Sequence, residues 1–162
     1  MSRQSTIMFG IDTVDQYLAF CEESVAELKL AQDNVLRAFT AILALNHIPD
    51  WLQYKLTPEQ RQMLGLSELR AGESVKAEFE ARNSDIVRVR EIANGFKHLR
   101  INTSTQRVGG YGVGPWGVGP YGTSYLLIDL GDDKPADERW DVALSLCERV
   151  LSWWRSELSL VS

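Results

Sequence analysis

Apolar residues return every three or four positions at Val14, Leu18, Cys21, Val25, Leu28, Val35, Phe39 and Ile42. No other feature of the chain restricts its fold as much. Such spacing puts one apolar stripe on an α-helix and leaves the intervening Glu, Lys and Gln in water. Gln32 is the one polar break, and the stripe keeps its phase across it. That predicts a single long N-terminal helix from Thr13, roughly 50 Å in length at ~1.5 Å per residue. Two helices, with Asp33 capping the second, are the alternative. The pattern stops at Asn46-His47-Ile48-Pro49, because proline pushes the residue before it out of helical geometry. His47 stands there, where it can meet the negative end of the helix dipole.

The same periodicity marks further helices. A short one restarts around Pro49-Asp50-Trp51. Thr57-Pro58-Glu59-Gln60 carries a threonine cap, a first-turn proline and a glutamine that can close a capping box. That helix is expected to end near Gly65, and another covers residues 74–82. Ser84-Asp85 caps a helix over 86–99 whose apolar face is Ile86, Val89, Ile92, Ala93, Phe96 and Leu99. A last helix runs from about Asp137 to Leu158 on a stripe that includes Trp140, Leu144, Cys147, Val150, Leu151 and Trp154. Leu146 and Trp153 lie off that stripe, which is read either as a dimer contact or as a wide buried face.

Between these helices the composition changes. Residues 101–124 are rich in Asn, Thr, Ser and Gly, and Tyr125-Leu-Leu-Ile-Asp-Leu130 reads as a strand. A partner strand is expected within 103–108, with the stretch YGVGPWGVGPYG (111–122) at the tip of the hairpin. The fold class is therefore mainly α. It is an up-down helical bundle with a long N-terminal helix, and a small β-hairpin carrying a Gly-rich loop before the C-terminal helix. The whole chain, 1–162, is one helical domain, with 101–136 as a Gly-rich hairpin insertion.

Charge narrows the possible partners. The formal net charge is -5, which disfavours a general nucleic-acid binder. Yet residues 82–107 hold six bases (Arg82, Arg88, Arg90, Lys97, Arg100, Arg107) and two acids (Asp85, Glu91), a local +4 against -9 elsewhere. Such an island can bind an anion locally, or it can be a solvated face whose charges pair with acidic neighbours. Cys21 and Cys147 lie on apolar helix faces with no metal-type spacing, and read as buried thiols in preference to a disulfide. No apolar run reaches the ~20 residues that span a bilayer, and the N-terminus lacks a secretory core. These features point to a cytoplasmic protein without a membrane, a cofactor or a metal.

Two places can carry function. The glycine stretch has no Lys-Ser/Thr ending, so it is not an NTP-binding phosphate loop, and it lacks the strand-to-helix setting of a dinucleotide fingerprint. Its Tyr111, Trp116 and Tyr121 recur every five residues. They can stack on bases or a partner surface when exposed, or form a lid when folded back. The other place is REIANGFKH, residues 90–98. At ~100° per residue, Lys97, Arg90, Asn94 and His98 lie at about -20°, 0°, 40° and 80° on the helical wheel. Arg90 and Lys97 can hold a phosphodiester, His98 can move a proton near neutral pH, and Asn94 can fix the imidazole or a ribose hydroxyl. Arg100 extends the basic set. The bland alternative is an ordinary contact between helices.

The ALNHIPDW helix end, the motif REIANGFKH and a Gly-rich hairpin before a Trp-rich last helix resemble a group of small helical bacterial proteins. These are similar in outline to the HEPN (higher eukaryotes and prokaryotes nucleotide-binding) domains. The resemblance implies a homodimer with an RNA or protein partner. In active members of that superfamily an arginine and a histidine cut RNA without a metal. They stand closer together than Arg90 and His98, between which seven residues lie. The expected function is therefore binding through the loop and the 90–100 face, with ribonuclease or toxin activity by Arg90 and His98 as the alternative.

Overall fold

A computed structural model describes residues 10–66, 74–98, 105–109, 124–131, 134–135 and 138–161; at 96–98 and 105–109 it describes the backbone only. The order is α1 (Val14–Leu30), α2 (Val35–Asn46), α3 (Ile48–Lys55), α4 (Pro58–Met63), α5 (Val75–Arg82), α6 (Ser84–His98), β1 (Thr105–Gly109), β2 (Tyr125–Asp129), β3 (Trp140–Val142) and α7 (Ala143–Leu158). The chain is mainly helical, with a small antiparallel hairpin before the C-terminal helix. No described helix is long and apolar enough to cross a membrane.

The single helix expected from Thr13 to Asn46 is two. α1 opens on a Thr13 capping box closed by Gln16, and residues 31–34 turn the chain before α2. The second cap is Asn34, not Asp33: its side chain accepts from the Arg37 amide at 3.1 Å. Such a cap contributes about 1 kcal/mol, and α1 and α2 then pack against each other. Breaking the helix resets its phase. Val35, on the seam of a continuous helix, is 50% exposed, while Ala38, Ala41 and Leu45, off that seam, are buried beside Ile42, which stays in the core.

The Tyr17 hydroxyl of α1 donates to the Ala44 carbonyl at 2.9 Å, and its ring stacks on Trp51 of α3 at 4.7 Å. Thr57 and Gln60 form the expected capping box of α4. The chain then turns at Gly65, whose φ of +68° suits glycine. α7 packs against α1, α2 and α6 and against strands β2 and β3. Phe79, fully buried, meets Trp154 edge-on at 4.8 Å and Trp153 at 6.0 Å. Leu146 is completely buried within its own chain, so its off-stripe position reflects a wide buried face. Cys21 and Cys147 are free, buried thiols.

The hairpin is part of a three-stranded antiparallel sheet in the order β1-β2-β3. Gly109 pairs with Tyr125 and Thr105 with Asp129, so the chain between the two strands is residues 110–124. Residues 110–123, the glycine stretch among them, lie outside the described residues. All five residues of β2 are buried, and its Leu126 amide donates to Gln32 in the α1–α2 turn at 3.0 Å. Trp140, expected on the last helix, belongs instead to β3 and pairs with Asp129. Helical spacing over 137–142 is outweighed there by sheet pairing. Arg139 holds the nearly buried Asp129 through two hydrogen bonds of 2.8 and 2.7 Å, and its carbonyl accepts from the Leu130 amide. α7 begins three residues after Trp140.

Candidate functional site: the outer face of α6

α6 runs without a break from Ser84 to His98. Asn83 accepts from the Asp85 amide at 2.9 Å just before it. Ile86, Val89, Ile92 and Ala93 are buried, so this part of the apolar stripe faces the bundle as its spacing requires; the Phe96 side chain and Leu99 lie outside the described residues. Arg90 sits at the edge of that stripe, half-buried, and Asn94 is exposed one turn on. Lys97 and His98 occupy the last turn of the same helix, and their side chains lie outside the described residues. So do Arg100, Tyr111, Trp116 and Tyr121. The structure therefore brings Arg90 and Asn94 to one side of α6. Arg90 and His98 remain on one helix, ~12 Å apart along its axis.

The three arginines of the basic island whose side chains are described are answered from within, and Lys97, Arg100 and Arg107 lie outside the described side chains. Arg82 pairs with Glu78 at 2.9 Å and with Glu157 at 3.7 Å. Arg88 pairs with Asp85 at 2.8 Å and reaches Asp141 at 4.0 Å. Arg90 Nη1 donates to Glu80 Oε2 at 2.9 Å. These carboxylates come from α5, α6, β3 and α7, so most of the charge that meets these three arginines arrives from outside the 82–107 stretch.

The strongest cluster is centred on Arg149 of α7. Its Nε donates to Asp85 Oδ2 at 2.9 Å, and its Nη2 donates to Asp141 Oδ2 at 2.6 Å. Burial pushes the Asp85 carboxyl up, but the hydrogen bonds and charges of Arg149 and Arg88 pull it further down, below the ordinary aspartate range. The Arg149 guanidinium is held charged still more firmly, chiefly by its hydrogen bonds to the two aspartates. With both carboxylates and both arginines engaged, this cluster fastens α6, β3 and α7 together. It does not present a free charge.

Neither Glu80 nor Arg149 stood out in the sequence. Glu80 follows the buried pair Val75 and Phe79, which puts it beside the core, and that was the only signal available. Among the described residues, two further depressions lie off the Arg90–Asn94 side of α6. A shallow depression on the outside of α7 is lined by Ser145, Arg149, Ser152 and Trp153 among others. A cleft of about 290 Å³ between the start of α1, α3–α4 and the end of α7 has Asp12, Asp15, Lys55, Gln60 and Val161 in its lining. Among the described residues, no group of three or more His, Cys, Asp and Glu side chains is placed to hold a metal ion. No protein-family model, no curated protein and no solved structure matches this chain.

Proposed function

We propose that this is a helical binding protein, HEPN-like in outline and without catalysis of its own. In this reading it acts in the cytoplasm as a homodimer. It meets an RNA or protein partner through the outer face of α6 and the aromatic-glycine segment 110–122. The observation that carries the reading is the Arg90–Glu80 contact of 2.9 Å. An arginine that stabilises charge developing on a phosphate acts best when its own charge is not already answered. Here the guanidinium rests against a carboxylate that is only 13% exposed. Such an arrangement suits a contact surface better than a reaction centre.

One observation favours a second reading, ribonuclease or toxin activity by Arg90 and His98. The unbroken α6 keeps both residues on one helix, and two copies meeting through this face would bring one copy's His98 toward the other's Arg90. Incubating the purified protein with total RNA, wild type against His98→Ala, separates the two. The binding reading expects no cleavage by either protein, and loss of partner capture when residues 110–122 are deleted. Cleavage that disappears in His98→Ala while the fold survives overturns it and supports the nuclease.

A further inference from the structure

We infer that Glu80 limits how strongly the α6 face captures anions, by holding the Arg90 guanidinium against a carboxylate of its own chain. The inference rests on the reading of α6 as a contact face, and adds which residue sets its preference. Glu80 lies on α5 directly after the fully buried Phe79, so its backbone is anchored at the edge of the core. Its side chain is 13% exposed, against 35% for Arg90. One oxygen accepts from Arg90 Nη1. The other is buried and accepts no hydrogen bond among the described residues. In this respect Glu80 differs from Asp85, Asp129 and Asp141, each of which has both oxygens engaged.

Arg90 is therefore the group that compensates a carboxylate with little access to water. A phosphate arriving at α6 must share that guanidinium with Glu80 or draw it away, and drawing it away leaves a nearly buried charge alone. An ion pair within the chain thus competes directly with an ion pair to the ligand. Among the described residues, the face offers the remaining donors of Arg90 and the exposed Asn94 amide.

The test is fluorescence anisotropy with a labelled single-stranded RNA oligonucleotide as the polyanion probe, using wild type, Glu80→Gln, Arg90→Gln and the double variant. Circular dichroism and thermal melting establish that each folds. Glu80→Gln should bind roughly five-fold more tightly, the scale of one exposed ion pair. Its affinity should also fall more steeply with salt, by about 0.7 in the log–log slope for one added phosphate contact. The double variant should lose the gain. Glu80→Asp, which keeps the charge but shortens the reach, should give a smaller gain and serves if Glu80→Gln fails to fold.

Three results overturn the inference: affinity in Glu80→Gln equal to or below wild type, a gain that persists in the double variant, or an equal gain in Glu78→Gln, which would reduce the effect to bulk charge. Deleting 110–122 tests the parent reading separately. Loss of binding there without a Glu80→Gln gain removes only the role of Glu80. A gain without that loss removes only the role of the segment.

Discussion

Replacing Arg149 with methionine tests whether the cluster between α6, β3 and α7 holds the bundle together. The side chain keeps most of its apolar stem and loses both carboxylate partners. Asp85 and Asp141 are only 16% and 11% exposed, so each is left with little water. Removing one partner from a fully buried pair costs about 3–5 kcal/mol. Arg149 itself is 44% exposed, and Arg88 stays 2.8 Å from Asp85, which reduces the expected cost to about 2 kcal/mol. For a chain of this size that lowers the melting temperature by about 4–8 °C. The effect has a pH signature. The Asp85 carboxyl in the folded protein lies below its unfolded value. The stability it supplies is therefore present above the unfolded aspartate value of about 4 and is lost as pH falls through the folded one. Thermal melts followed by circular dichroism should show the full gap between wild type and Arg149→Met at pH 7, narrowing below about pH 4. A gap under about 1 °C at pH 7, or one unchanged by acid, refutes the reasoning.

The remaining expectations concern the fold. Asn34→Ala should cost about 1 kcal/mol, read as a small fall in melting temperature, because it removes the cap that starts α2 after the turn. A variant as stable as wild type would show that the turn does not depend on that side chain. Phe79→Ala should cost about 3–5 kcal/mol, since it empties a fully buried site between α5 and two tryptophans; urea unfolding measures it. Burial pushes the Cys21 and Cys147 thiols up to about 12, so neither should react with a thiol-specific disulfide reagent at pH 8. Both should react once the chain is unfolded in guanidinium, and rapid labelling of the native protein would contradict their placement.

Local rules were legible where a few neighbouring residues decide the outcome. Thr57, Pro58 and Gln60 specify the start of α4 through one capping box, and the structure contains it. The apolar face of α6 follows from spacing alone. The α1–α2 break was harder to read because the apolar phase runs through Gln32, while the turn depends on packing α2 back against α1. Trp140 is a related case: its spacing suits α7, but its backbone pairs with Asp129, a partner that periodicity does not reveal. The candidate site was the least legible. Arg90, Asn94, Lys97 and His98 can be placed on one helical face from a wheel, but nothing along the chain says that Glu80 takes Arg90, or that Arg149 reaches two aspartates on different elements. Those pairings exist only once the helices are packed.

The hydrogen bond from Leu126 to Gln32 has a consequence for rebuilding this protein. β2 looks like the inner strand of a detachable ornament, yet its five residues are buried and its first turn-facing amide is tied to the joint between the first two helices. Cutting out the hairpin and rejoining the helices would strip a layer from the core and orphan a carbonyl at that joint. Grafting the same hairpin onto another bundle would carry across a strand with apolar residues on both faces and no floor to rest on. Any redesign at this end has to keep the pairing of Gly109 with Tyr125 and of Thr105 with Asp129, which holds β2 in place over the core.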